Sequence, residues 1–376
     1  MKTRVLHVID SFDLGGAQTA LLNLLRATNR ERYEPEVACM HGRGVFWEAF
    51  SGLGIPVHSL SPRRWLPLYI PKLLALIRSR RFDIVHCHLF GANWIAKPLA
   101  ALCGVPVRIN HDQCNDALRY ESRFAFALDQ FTNRWSSHVC AVSASTRHFL
   151  IKRERLPDSA VSLVYNGVDL GHFDPPARKP RLDRLVVLGV GRLHPQKNFA
   201  LFLEVAAQLV RRGLSVEFRL AGTGPEEAAL RTRAREIGID DCVQFLGHVT
   251  DTRNLYACAD VLLMTSRFEG TPLTILEAMA MRTPIVAPQL DGIGEILRPD
   301  EDALLIEPPE RDLFVQAIER LAADADLATR LTDSAHTKVH AQFSSKAMAA
   351  QVEAIYERCL ARRGVRSASA DDDHAK

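Results

Sequence analysis

Two glutamates, Glu269 and Glu277, stand eight positions apart in the run Ser266-Arg267-Phe268-Glu269-Gly270-Thr271-Pro272-Leu273-Thr274-Ile275-Leu276-Glu277-Ala278-Met279. Glu269 precedes a predicted helix over 272–281, with Thr271 as N-cap and Pro272 at the first helical position. Glu277 falls in its second turn among Leu273, Leu276 and Met279, where an unengaged acid is costly to bury. A carboxylate placed there accepts hydrogen bonds from something hydroxylated, and the helix N-terminus beside Gly270 and Thr271 offers N–H groups to an anion. A second cluster, Gly191-Arg192-Leu193-His194-Pro195-Gln196-Lys197-Asn198, sets two cations in a glycine turn ahead of a helix over 199–212. Arg192 can fork onto two oxygens and Lys197 adds a point charge, which is phosphate-binding chemistry.

Two further glycine turns follow predicted strands: Gly15-Gly16, and Gly222-Thr223-Gly224-Pro225. Bare glycines let the backbone approach a ligand closely. The second turn lacks the third glycine of the dinucleotide fingerprint, because Glu227 occupies that place, and a nicotinamide enzyme is disfavoured. His111 lies at the carboxyl end of a predicted strand over 105–110, the ligand edge of an open sheet. His86 and His88 share one side of another strand and offer at most two ligands with no nearby acid, so no metal site is expected.

The elements that must position these residues alternate along the chain. Short β-branched runs over 4–9, 35–40, 57–60, 82–88, 105–110, 138–142 and 161–165 alternate with helical spacing over 17–27, 46–53, 70–80, 93–103, about 118–135 and from 143. That pattern means a parallel sheet with helices on both faces. Asn166-Gly167-Val168-Asp169 and the Pro-rich stretch 174–184 read as turn and linker. A second series follows, with strands over 185–189, 216–221, 243–246, 260–265 and 284–287. The α/β chain is therefore divided into a first domain over 1–173, a linker over 174–184, a second domain over 185–345, a terminal helix over 346–362 and a small, charged, disordered tail over 363–376.

A chain of 376 residues exceeds one ordinary core, and a net charge of +3 argues against a dedicated nucleic-acid binder. Eight cysteines are scattered without a C-x-x-C pair and read as reduced, cytosolic core residues. No run reaches the roughly 18 apolar residues of a spanning helix, and the N-terminus has no signal-peptide pattern. Over 63–81, Arg63, Arg64, Lys72, Arg78, Arg80 and Arg81 accompany Trp65, Leu66, Leu68, Tyr69 and Ile70. This suits either peripheral contact with an anionic membrane or the snorkelling bases of an ordinary surface helix.

The E-x7-E spacing, the Gly-Arg-Leu-x-x-x-Lys-Asn run, the Gly-x-Gly-Pro turn and Gly-Gly-Ala-Gln together resemble the retaining glycosyltransferases of family 4 over nearly the whole chain. The resemblance implies a GT-B fold: two Rossmann-like doubly wound domains facing a cleft, the last helix packing back on the first. It implies a cytoplasmic, metal-independent enzyme that takes a nucleotide-diphosphate sugar as donor, needs no other cofactor, and glycosylates a glycan or lipid-linked acceptor in bacterial polysaccharide or glycolipid biosynthesis. Arg192 and Lys197 then match the diphosphate ligands, Glu277 the ribose contact, Glu269 the contact to sugar hydroxyls, and His111 the first-domain histidine facing donor sugar and acceptor. Gly15, Gly16, Gly222, Gly224, Gly270, Thr271, Pro272 and Leu273 complete the donor set. Gln18 departs from the family's usual acid, and Asp291 from a glycine expected near the donor sugar. A nucleotide-sugar epimerase or a phosphorylase on the same fold, and a binding module without catalysis, are the competing readings.

Overall fold

A computed structural model describes residues 2–61, 69–113, 122–175 and 184–364. The chain forms two compact units, Met1–Gly167 with Ser345–Lys376, and Val168–Ser344. The first unit runs β1 (Thr3–Ser11), α1 (Gly16–Ala27), β2 (Tyr33–His41), α2 (Trp47–Ser51), β3 (Val57–Ser59), α3 (Tyr69–Arg80), β4 (Ile84–His88), α4 (Phe90–Leu102), β5 (Val107–Asp112), α5 (Arg123–Thr132), β6 (His138–Ala141), α6 (Ala144–Lys152) and β7 (Val161–Leu163). Its strands form one parallel sheet in the order β3-β2-β1-β4-β5-β6-β7. β4 is buried at every position, as expected of a parallel strand covered on both faces.

The second unit runs β8 (Leu185–Val190), α7 (Phe199–Arg211), β9 (Val216–Ala221), α8 (Glu227–Glu236), β10 (Val243–Gly247), α9 (Arg253–Cys258), β11 (Val261–Leu263), α10 (Leu273–Ala280), β12 (Ile285–Pro288), α11 (Asp291–Gly294), β13 (Leu304–Ile306), α12 (Arg311–Ala323) and α13 (Ala325–Gln342). Its six strands are again parallel, in the order β10-β9-β8-β11-β12-β13. α7 shows why the alternation works. Phe199, Phe202, Leu203, Ala206 and Leu209 recur at helical spacing and are buried against Phe218 and Leu220 of β9. The last helix, α14 (Ser345–Arg362), returns to the first unit, where Val352, Ile355 and Tyr356 pack with Val5, Ile84 and Ile109.

Several local expectations shift. Residues 168–173, placed before the boundary by their turn chemistry, pack in the second unit: the Val168 N–H donates to the Phe343 carbonyl at 2.9 Å, and the Phe173 ring meets Tyr256 edge-on. β13 was not anticipated, and its pairing with β12 defines it. α5 begins at Arg123, where the Ser122 hydroxyl caps Ala125 N–H. The earlier part of that expected helix, residues 63–68 of the basic-aromatic stretch, most of the linker and the tail from 365 lie outside the described residues. Among the described residues, no helix is long and apolar enough to cross a membrane.

Candidate nucleotide-sugar site

In the second unit the strand order reverses at β8, whose neighbours are β9 on one side and β11 on the other. Ligands of open parallel sheets bind outside the carboxyl ends of the strands at such a switch point. The loops leaving β8, β9 and β11 carry Arg192 and Lys197, then Gly222 and Gly224, then Glu269. Strand order therefore gathers three motifs that are far apart in the chain.

Side chains and backbone lock these loops together. Lys197 Nζ lies 2.5 Å from Glu269 Oε1, with the lysine side chain 18% exposed and the glutamate 7%. The Thr265 hydroxyl donates to the carbonyls of Lys197 and Asn198 at 3.0 and 3.1 Å. Arg267 N–H donates to the Gln196 carbonyl at 2.8 Å, and Gln196 Nε2 donates to the Phe268 carbonyl at 3.0 Å. Gly222 holds φ +145°, and a Cβ there would stand 1.8 Å from the Gly191 carbonyl oxygen. A Cβ on Gly292 would stand 2.0 Å from the Gly270 carbonyl oxygen, so α11 presses on the Glu269-Gly270 loop through a bare backbone. Arg192 is exposed in its turn.

The cap of α10 differs from expectation. Pro272 has φ −70° but an extended ψ of 116°, so it occupies the N-cap position, and the helix begins at Leu273 with no side-chain cap. The Ile275 N–H already reaches the Pro272 carbonyl at 3.1 Å. The N–H groups of Leu273 and Thr274 remain outside the helical ladder and are free of intrahelical partners, as at any helix start. Two buried hydroxyls, Ser266 Oγ and Thr274 Oγ1, have no hydrogen-bond partner among the described residues.

Glu277 is buried on the same helix, and the Tyr256 hydroxyl donates to its Oε2 at 2.8 Å. Burial raises its carboxyl from 4.5 to about 7, against the pull of the Tyr256 hydrogen bond, which favours the charged form. The folded state therefore holds this proton more tightly than the unfolded chain. The resulting stability is fully present below pH 4.5 and is lost, by about 3 kcal/mol, as pH rises to 7. Glu277→Gln is expected to flatten that slope in urea unfolding measured across pH 4.5 to 8. Tyr256 was missed in the sequence because nothing local links it to an acid 21 residues on; its place in a short helix just before β11 is the available signal.

Three residues of the expected set belong to the first unit. Gly15 is extended and caps α1, and Gly16 is the first helical residue. Gln18, standing where an acid is usual, donates from Nε2 to the Ser11 carbonyl at 2.9 Å and closes that loop. β5 extends to Asp112, so His111 lies within the strand, 2% exposed, its ring stacked 5.3 Å from His86. Burial lowers its imidazole to about 4 and keeps it neutral at physiological pH.

A family model described as "Glycosyltransferase Family 4" matches residues 14–172, and one described as "Glycosyl transferases group 1" matches residues 184–324. The chain belongs to the group 1, family 4-type glycosyltransferases. It is 28% identical over 312 residues to the alpha-D-kanosaminyltransferase of Streptomyces kanamyceticus, spanning 76% of this chain and 81% of that protein. It is 26% identical over 268 residues to the UDP-Gal:alpha-D-GlcNAc-diphosphoundecaprenol alpha-1,3-galactosyltransferase of Escherichia coli, spanning 67% and 69%. Anabaena Alr3699/HepE, solved in complex with UDP-glucose, superposes with a TM-score of 0.84 at 21% identity, covering 94% of this chain and 99% of that one. The two Rossmann-like units of this glycosyltransferase are thus those of the GT-B fold. Its switch-point residues occupy the ligand edge of the second of them.

Proposed function

We propose that this glycosyltransferase moves a sugar from a nucleotide-diphosphate sugar to a glycan or lipid-linked acceptor, with retention at the anomeric carbon and without a metal on the diphosphate. The observation that carries this reading is the pairing of Lys197 with Glu269, which joins the basic glycine turn to the E-x7-E loop at one sheet edge. As the bond from the anomeric carbon to the diphosphate oxygen breaks, negative charge grows on the diphosphate and positive charge on the sugar ring. The acceptor oxygen then bonds to that carbon and gives up its proton. Fixed positive groups aimed at the leaving oxygens are the economical catalyst. Arg192, Lys197 and the N-terminus of α10 take the diphosphate, Glu277 the ribose hydroxyls and Glu269 the sugar hydroxyls. Donor arrival would draw Lys197 from Glu269 to the phosphates and leave the carboxylate for the sugar. His111 enters this set through the family resemblance, as a neutral imidazole of the first unit.

The name of the Escherichia coli relative favours a diphosphate-lipid acceptor and hence a role in surface polysaccharide or glycolipid assembly at the cytoplasmic face of a membrane. The deciding experiment is thermal unfolding with UDP-, GDP- and ADP-sugars, with and without EDTA, because a ligand bound only by the folded state raises the midpoint. A rise with one nucleotide class, unchanged by EDTA and reduced at least tenfold in apparent affinity by Arg192→Ala, is expected. Absence of any rise together with absence of donor hydrolysis would sink the transferase reading. Glu277 adds a pH signature. Its charged form is the better acceptor for ribose hydroxyls, so nucleotide affinity should strengthen up to about tenfold from pH 6 to 8 in the parent and stay flat in Glu277→Gln.

A further inference from the structure

We propose that His7, His86 and His88 form a buried site for a borderline divalent transition-metal ion, Zn²⁺ first among them, which braces the first unit and takes no part in sugar transfer. Read along one strand, His86 and His88 supply only two ligands on one side. Sheet register supplies a third: His7 of β1 lies directly opposite His86 of β4, so all three imidazoles share one face. Their ring centroids are 4.4 to 5.4 Å apart, each residue is at most 2% exposed, and one nitrogen from each lies within 4.8 Å of the others.

Two further observations point to an ion. His7 Nδ1 and His88 Nε2 are 3.1 Å apart, a hydrogen bond between the rings in the absence of an ion and a separation close to the roughly 3.3 Å between two nitrogens bound tetrahedrally at about 2.0–2.1 Å from zinc. His86 Nδ1 lies 2.5 Å from the Tyr356 hydroxyl of α14, while its Nε2 is buried with no hydrogen-bond partner among the described residues. With Nδ1–H donating to Tyr356, Nε2 presents a lone pair, the arrangement that orients metal-bound histidines. Without an ion that nitrogen loses its hydrogen bond to water and gains nothing. Nitrogen ligands of this kind suit zinc and its neighbours, whereas magnesium and calcium want oxygen. Closing the three nitrogens on an ion requires shifts of about 1.5 Å and a rotation of the near-parallel rings, now 22° to 34° apart, that turns their in-plane lone pairs toward it. His111 stacks beside the set and lies outside it.

The test is metal content of the full chain, free of any affinity tag, by mass spectrometry after growth with added zinc, followed by removal of the metal in mild denaturant and reloading with Co²⁺. About one equivalent of zinc, a visible Co²⁺ ligand-field spectrum and a higher melting midpoint with metal than without are expected. His86→Gln and His88→Gln should each lose the equivalent. His336→Gln, at a half-buried residue whose ring lies 4.3 Å from that of exposed His340 on α13, should keep it. Less than about one-tenth of an equivalent in the unaltered chain, both as purified and after Co²⁺ loading, would overturn the proposal, as would metal lost only in His336→Gln. Nucleotide-induced stabilisation belongs to the second unit and is read separately, so failure here leaves the transferase reading intact.

Discussion

Replacing Lys197 by alanine is expected to lower turnover about 10²- to 10³-fold, the range seen when one positioned donor is removed from a developing negative charge. The same change leaves Glu269 buried without its cation, which costs about 1 to 3 kcal/mol of stability. The two effects can be separated. In the double variant Lys197→Ala with Glu269→Gln, the stranded charge is gone, so the melting midpoint should recover most of the loss while turnover stays well below that of Glu269→Gln alone. If Lys197 served only as a strut between two loops, the double variant would turn over as fast as Glu269→Gln alone. A single variant within about threefold of the parent rate on its own acceptor would show that Lys197 does not carry the leaving-group charge.

Gly222→Ala is expected to be the most damaging small substitution in the second unit. The backbone at φ +145° disfavours any L side chain, and the new methyl would meet a carbonyl oxygen of the neighbouring loop, which cannot rotate away. A cost of about 3 kcal/mol or more follows, read as a fall of roughly 6 to 12 °C in the melting midpoint. Because the strained turn also holds the loop of Arg192 and Lys197, nucleotide binding should fall with it. Gly16→Ala is the matched control. Nothing lies within 4 Å of a Cβ at Gly16, and the residue begins a helix, so stability should hold or rise by up to about 1 kcal/mol. A stable Gly16→Ala variant with weakened donor use would mean that its bare backbone serves a ligand. Unchanged donor use would mean that it serves only the turn.

The strands were legible where apolar runs met turn residues. The run Leu185-Val186-Val187-Leu188 and the buried stripe of α7 needed no tertiary knowledge, because burial on both faces of a parallel strand and on one side of a helix leaves its period in the chain. β13, no shorter than β3, β7 or β11, was recognised only by its pairing with β12. The cap of α10 was misplaced by one residue because proline fixes φ and not ψ, and ψ at Pro272 is what the surrounding loop sets. The clamps were invisible for another reason. Gln196, Thr265 and Tyr256 act through partners 72, 68 and 21 residues away, and no local pattern encodes those pairings.

By itself the sequence determined the chemistry on offer: two cations in a glycine turn, two carboxylates about a helix start, and the alternation that commits the chain to two parallel sheets. Only the tertiary structure decided which of these groups meet. The order β9-β8-β11 makes neighbours of loops that the chain separates, and so turns Lys197 and Glu269 into a pair. The packing of α10 and α9 dries Glu277 until its proton is held to about pH 7. The register of β1 on β4 lays His7 beside His86. Composition and spacing fix what a side chain can do, whereas distance and dielectric, which fix what it does, arise from contacts between residues the chain keeps apart.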